Sequence, residues 1–467
     1  MRQQIIYFFS HSWYLQWALL GAVAATAFIT PLLWWVILIV IFRGLHLTRR
    51  PNELTHGKII GAGILFGSLY YFGAIAWKWS AYPLEWMGLH PLASFALIFL
   101  YVLLGVLFLS VGKVVMLYLI RYTPRCSLFF FPIWWLVGEV VSAYTFSVHV
   151  VGSNSSINGD FAFGMVGFLL AEHDVLLTAA SLGGVYALSL LYVTLGVTCY
   201  IIWSSGIRKS GLYAAVIGVV IVFSSLINIP NRPIDSTLSV ATIETSFPRR
   251  DEVTADQRRI EADSIAQSVV QAIQAGNEYV ILPEDSRFAR NFANEREALD
   301  FLKSVAPHDV VVVDTGTVTI DGAMYVRAFI FDTKTDQMYQ VDKQYLVPHG
   351  EYIPYFHSTL LRWLGQGQMI DDYTDRFDYG PGPLIDQAHL PNHIPSILFC
   401  YESTSPTALW KLANTRNEPF VAHPVSLAFF TNPSVLQHQL DQMLRVNTTF
   451  AGVDVYQAGN MTRSDRY

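Results

Sequence analysis

The chain has 467 residues, 52% of them hydrophobic and only 14% charged, against roughly 25% charged in an ordinary soluble domain. Charge is unevenly spread: residues 1–228 hold 11 of the 30 Lys and Arg and 6 of the 36 Asp and Glu, so the net charge of −6 arises in the second half. These values exclude a simple soluble globule and, with no basic cluster on the polar half, a nucleic-acid binder. Two units follow: an apolar membrane part, 1–228, and a soluble domain, 229–467, long enough to bury its own core.

A spanning helix needs about 20 mostly apolar residues. Seven such stretches occur, at 13–29, 31–43, 57–77, 93–120, 127–147, 177–204 and 210–228. Thr30-Pro31 separates the first two, because proline cannot continue the helical ladder. The apolar run 161–176 is interrupted by Glu172, His173 and Asp174, which places it at the outer interface. Trp77, Trp79 and Trp86 read as an aromatic belt. Glu139, inside a span, is either functional or a structural hydrogen-bonding group. Basic residues cluster in alternate loops: Arg43, Arg49, Arg50 and Lys58; Arg121 and Arg125; Arg208 and Lys209. With Arg2 also inside, this puts the N-terminus in the cytoplasm and residues 229 onward on the outer face.

The outer half alternates helix and strand signals. Thr254-Ala-Asp-Gln257 resembles a capping box ahead of a helix that Gly276 ends. EYVILPE (278–284) is a short strand closed by proline. A helix near 294–305 precedes DVVVVDTGTVTI (309–320) and MYVRAFIFD (324–332), which pair across Asp321-Gly322. MYQVDK (338–343) is a further strand, and 365–395 is rich in Asp, Gly and Pro and reads as a loop. SILFCYE, a helix near 406–414, FVAHPVSLAFF (420–430), a helix near 433–446 and GVDVYQAGN (452–460) complete a layered α/β domain.

Three reactive groups fall where strands stop: Glu284 in LPED, Lys343 in VDKQYLVP and Cys400 in LFCYES. Strand ends of α/β sheets gather side chains from distant segments. Such a trio can do acyl chemistry, with Glu284 taking the thiol proton, Lys343 stabilising an oxyanion and Cys400 attacking a carbonyl. The bland alternative is a structural ion pair and an inert core thiol. Cys126 and Cys199 lie in apolar stretches, so Cys400 is the lone cysteine of the polar half. Of seven outer-half histidines, only His389 and His393 have helical ligand spacing, and Pro391 between them argues against a helix; neither a metal nor a cofactor is expected.

Pro283-Glu284, the run Lys343-Gln-Tyr-Leu-Val-Pro-His-Gly-Glu351-Tyr, and Cys400-Tyr401-Glu402 stand in the order of the nitrilase superfamily motifs. Together with Pro132, Trp134, Trp135 and Glu139, and Gly184-Val-Tyr186-Ala-Leu-Ser189, they resemble the bacterial apolipoprotein N-acyltransferases. That resemblance implies a polytopic bundle of about seven helices followed by an exported αββα sandwich in the cytoplasmic membrane. It implies Glu284 as base, Lys343 as oxyanion stabiliser and Cys400 as nucleophile. Glu351 assists as a second carboxylate, with Tyr401 and Glu402 shaping the pocket. The implied partners are a phospholipid acyl donor, the N-terminal amine of a diacylglyceryl-cysteine lipoprotein as acceptor, and membrane lipid.

Departures occur as well. Ser426-Leu-Ala-Phe429-Phe430 replaces the family's Asn-Asp-x-Trp-Phe, Arg445-Val-Asn-Thr448 its Arg-Ala-x-Glu, and Gln457 an Arg. The chain ends at Tyr467 without the family's closing segment. Two other functions compete with acyl transfer: a membrane-tethered nitrilase or amidase-type hydrolase, in which water resolves the thioester, and a catalytically impaired lipoprotein-binding homologue.

Overall fold

The computed structural model describes residues 13–48, 55–84, 89–123, 127–152, 155–205, 211, 217–218, 220, 238–249, 253–377, 379–382 and 387–467. Its apolar half contains helices α1 (Trp13–Ile29), α2 (Val36–Thr48), α3 (His56–Ile75), α4 (Pro91–Tyr122), α5 (Ser127–Val150), the single turn α6 (Asp174–Leu177) and α7 (Gly184–Ser205). Five helical stretches are long and apolar enough to cross a membrane: Pro31–Thr48, His56–Ala81, Pro91–Tyr122, Leu128–Val150 and Gly184–Ser205. Helix α1 is also apolar but shorter. The break at Thr30-Pro31 is present as a 3-10 turn, Pro31–Leu33. The expected seventh span, 210–228, lies largely outside the described residues, as do Arg2, Arg49, Arg50, Arg125, Arg208, Lys209 and Trp86.

Helices α4 and α5 approach so closely that a Cβ on Gly112 would collide with the Gly138 carbonyl and the Ser142 hydroxyl. Small residues permit such contact between apolar helices. Within the run 161–176, Ala162, Met165, Val166, Leu169 and Leu170 are all buried in the protein. The bundle satisfies its irregular backbone, since Glu139 Oε1 accepts from Val166 N at 2.9 Å and Ser189 Oγ accepts from Gly167 N at 3.0 Å. Buried non-helical backbone is tolerated when its polar groups are paired in this way. Trp77, expected in an aromatic belt, is buried edge-on to Phe430, with ring centres 5.9 Å apart.

The polar half is a sandwich of two sheets. One has the order β1 (Val240–Thr242), β2 (Tyr279–Ile281), β3 (Val311–Ile320), β4 (Ala323–Asp332) and β5 (Gln337–Asp342). The second has the order β6 (Ser396–Ile397), β7 (Val421–Ser426), β8 (Val455–Asn460) and β9 (Asp465–Arg466). Neighbours from β1 to β3 and from β6 to β8 are parallel, and the remaining pairs are antiparallel. Strands β3 and β4 pair from Val311↔Asp332 to Ile320↔Ala323. Asp321 and Gly322 both take positive φ, 51° and 86°, as the two-residue turn that matches strand twist requires.

Alternation along the strands makes the layers. Ile281, Val311 and Val313 face inward against Ile397, Phe399, Ala422 and Ala458 of the other sheet. Val280 and Val312 face outward under α8 (Ala255–Gln274) and α9 (Glu295–Val305), through Ile265, Val269, Leu299 and Leu302. On the far side, Leu409 and Leu412 of α12 (Ala408–Thr415) and Leu444 of α13 (Ser434–Ala451) cover Leu398, Val421 and Val455. The order is therefore helix, sheet, sheet, helix. Two further helices, α10 (Tyr355–Trp363) and α11 (Gly367–Phe377), precede β6. Helix α11 lies within the stretch expected to be loop; Ile370 and Tyr373, one helical turn apart, are buried beneath it.

The halves share one apolar core. Val425, Leu427, Leu436, Met443 and Val446 belong to the same buried cluster as Phe28, Trp77, Leu170 and Leu188 of the bundle. Polar bonds fix the seam: Thr431 N donates to Ser80 O at 2.7 Å, Gln439 Nε2 to Phe28 O at 3.2 Å, and Arg445 pairs with Asp174 at 2.9 Å.

Candidate active site

Each of the three strand-end groups is placed by a short turn. Glu284 lies in a turn three residues beyond the end of β2, after Pro283. Lys343 is the first residue beyond β5, with its N–H bonded to Val326 O at 2.8 Å. Cys400 opens a 3-10 turn, Cys400–Thr404, just after β6.

The ammonium of Lys343 is buried, 1% exposed, and bridges two carboxylates: Glu284 Oε1 at 3.0 Å and Glu351 Oε1 at 2.8 Å. Glu351 is itself positioned, since its Oε2 accepts from Val347 N at 2.7 Å within a tight turn. In that turn His349 takes φ 65° and its N–H bonds to Tyr352 O at 2.8 Å. Cys400 is half-buried, and its thiol points to the Ser426 carbonyl at 3.9 Å. The sulfur also packs against the apolar core shared with the bundle.

Electrostatics tie the four groups together. Burial opposes the charge on Lys343, but Glu284, Glu351 and Cys400 outweigh it and hold the ammonium well above its ordinary value. Glu284 is pushed up by burial and by Glu351, with Lys343 pulling it back. The Cys400 thiol is raised by burial and by Glu284, and lowered by Lys343. The resting site is therefore a protonated thiol beside an ammonium held by two carboxyls. This arrangement suits proton transfer from sulfur at the moment of attack, with an ammonium ready for a developing oxyanion.

Tyr401 and Glu402 occupy different positions. Glu402 turns away from the sulfur and buttresses the turn, accepting from Gln344 N at 2.8 Å, Tyr345 N at 3.2 Å and Phe399 N at 2.9 Å. Burial raises its carboxyl to about 7, with these three N–H donors opposing the rise. Tyr401 lies 6.2 Å from the Phe161 ring, centre to centre. It lines a cavity of about 310 Å³ with Asp160, Phe161, Tyr345, Leu346 and Ser405. Asp160 is missed by sequence reading, because it comes from the bundle side; its carboxylate accepts from Ser405 Oγ at 2.6 Å and Thr407 Oγ1 at 3.2 Å. His393 turns to Asp332, 2.8 Å away.

No family model matches the chain. Over 225 residues it is 28% identical to an apolipoprotein N-acyltransferase of Campylobacter jejuni; the match takes in 48% of this chain and 46% of that protein. The matched stretch is thus about half the length of the curated relative. Among solved structures, a cysteine-to-alanine mutant of the Nesterenkonia AN1 amidase from the nitrilase superfamily aligns over 48% of this chain and 76% of its own, with TM-score 0.32 and 15% identity. A glutamate-to-glutamine mutant of that amidase, bearing acrylamide on its active-site cysteine, aligns over 48% and 78%, with TM-score 0.31 and 15% identity. By sequence, then, this membrane-helical α/β protein is similar to an apolipoprotein N-acyltransferase.

Proposed function

We propose that the protein transfers a fatty acyl chain from a phospholipid to the N-terminal α-amine of a diacylglyceryl-cysteine lipoprotein, through a thioester on Cys400. The observation that carries this reading is Lys343 bridging Glu284 and Glu351 beside a thiol that packs on the apolar core of a membrane bundle. In the first step Glu284 takes the thiol proton as sulfur bonds to the ester carbonyl. Lys343, held by Glu351, stabilises the oxyanion, and collapse breaks the ester C–O bond. The lysophospholipid leaves with the proton from Glu284. In the second step the acceptor amine bonds to the thioester carbonyl, the C–S bond breaks and the amine proton returns through Glu284 to sulfur. A thioester suits an amine acceptor, which attacks it more readily than an oxygen ester. The cavity beside Tyr401 offers the acceptor's polar end a place, with the Asp160 carboxylate in its wall.

The same reading sets residues 1–228 in the bacterial cytoplasmic membrane, with the N-terminus inside. Residues 229–467 form the catalytic domain on the outer face. The basic residues of alternate loops support that orientation.

The test is direct. Purified protein should carry a fatty acyl group on Cys400 that hydroxylamine releases, and Cys400→Ala should carry none. Mature lipoproteins from cells lacking the gene should be one N-terminal acyl chain lighter by mass spectrometry. An unchanged lipoprotein profile, or an unmodified sulfur combined with cleavage of soluble amides, would overturn the assignment in favour of a tethered hydrolase.

A further inference from the structure

Four basic groups meet where the bundle joins the α/β half, and none of them touches the sulfur site's hydrogen bonds. Lys78 sits in the 3-10 segment after α3, and His149 ends α5. His349 belongs to the turn that carries Glu351, and His357 to the first turn of α10. The ring centres of His349 and His357 are 4.5 Å apart, and those of His149 and His357 are 4.7 Å apart. Tyr101 lies among them, 4.5 Å from His349 and 5.4 Å from His149, with the Lys78 ammonium 4.9 Å from its ring centre. His149 and His357 are buried, 0% and 1% exposed, while Lys78 and His349 stand half-buried at the rim.

None of the six imidazole nitrogens makes a hydrogen bond. The carbonyls of Tyr101 and Pro348 come near His149 and His349 without completing one. Buried polar atoms are nearly always paired, and an unpaired set in one place calls for an occupant.

The sign of that occupant follows from its surroundings. No carboxylate hydrogen-bonds any of the six imidazole nitrogens, and the Lys78 ammonium lies over the rings of Trp77 and Tyr101. A metal cation would meet the Lys78 ammonium, and no three ligands at metal spacing occur among the described residues. An anion would gain the ammonium charge and up to three imidazole N–H donors. The rim is apolar: Phe108 stacks on His149 at 5.2 Å and meets Phe356 at 5.9 Å, and Phe356 is 41% exposed. An anion carrying hydrocarbon matches both surfaces.

We propose that Lys78, His149, His349 and His357 form a phosphate-binding site, occupied by the phosphodiester of a membrane phospholipid. Taking that lipid as the acyl donor rests on the proposed function; the binding site itself does not. His349 lies two residues from Glu351, so the occupied site adjoins the turn that orients the catalytic carboxylate.

The experiment uses full-length Cys400→Ala protein in detergent, so acyl transfer cannot contribute. Binding of a short-chain phosphatidylglycerol, of the diacylglycerol with the same chains, and of inorganic phosphate is measured. The variants Lys78→Met and His349→Phe are compared with their parent, and the unfolding midpoint of each is measured to confirm that it folds. We expect each variant to weaken phosphatidylglycerol binding about tenfold, the order expected on losing one charge-assisted hydrogen bond, and to leave diacylglycerol binding unchanged. Excess inorganic phosphate should leave bound phospholipid in place. Equal losses for both lipids, or no loss for either, would overturn the phosphate site in favour of neutral rings packed for shape. Displacement of the lipid by free phosphate would overturn the lipid source. A missing thioester in the separate adduct assay would leave these outcomes untouched.

Discussion

Lys343 is held by two carboxylates, yet only one proton is available for them to exchange with the sulfur. Burial raises the Cys400 thiol and so favours its protonated form. Alkylation by iodoacetamide should therefore be slow near neutral pH and keep rising past the ordinary thiol value of about 8.5; a plateau at or below that value would contradict the site's electrostatics. Lys343→Met removes the charge that does most to lower the thiol, so alkylation should slow further. Acyl-adduct formation should fall about 10²-fold or more, as when an oxyanion donor is removed. Glu402 gives a pH test of stability. Its carboxyl is raised to about 7 by burial, so folding favours its protonated form. The stability this lends is full below about pH 4.3, the ordinary value, and is lost as pH rises through about 7. Glu402→Gln cannot ionise and should flatten that decline between pH 5 and 8, while losing an acceptor for one N–H at a cost of about 1–3 kcal/mol in thermal unfolding. That Glu284, Lys343 and Cys400 follow strands was legible in the sequence, because each stands just past a β-rich run. The role of Glu402 was not, because its three partners are backbone N–H groups of two separate turns.

Among elements, β3 and β4 were legible because Asp321-Gly322 is itself a turn signal between two β-rich runs. Helix α11 was not: its polar composition conceals a stripe of only two buried residues, Ile370 and Tyr373. The burial of residues 161–171 was not legible either, since their backbone pairs with Glu139 and Ser189, both from distant helices. The crossing of α4 and α5 makes a prediction of its own. Gly112→Ala forces a methyl group into the Gly138 carbonyl and should cost about 1–3 kcal/mol, seen as a lowered unfolding midpoint in detergent. Gly57→Ala, where a Cβ meets nothing within 4 Å, should leave the midpoint unchanged.

For the whole molecule, the apolar seam decides how the halves behave. Val425, Leu427, Leu436, Met443 and Val446 would face water if the α/β half were made alone, and an exposed patch of that kind drives association. A fragment of residues 238–467 should therefore elute as aggregate in gel filtration without detergent, and a monodisperse fragment would show the seam to be dispensable. Sequence reading divides the chain into two units because composition changes abruptly, but no local signal shows that their cores merge.

The protonated resting state of Cys400 carries a further consequence. It is the thiolate that attacks peroxide and stray disulfides, and a sulfur kept as S–H reacts with them slowly. The other free cysteine of the described residues, Cys199, sits on α7 and is exposed, far along the chain from the 3-10 turn at Cys400. Under the proposed outer-face placement and acyl transfer, such a sulfur idles in an oxidising medium without a guardian thiol, its vulnerability confined to the brief interval in which cargo is loaded.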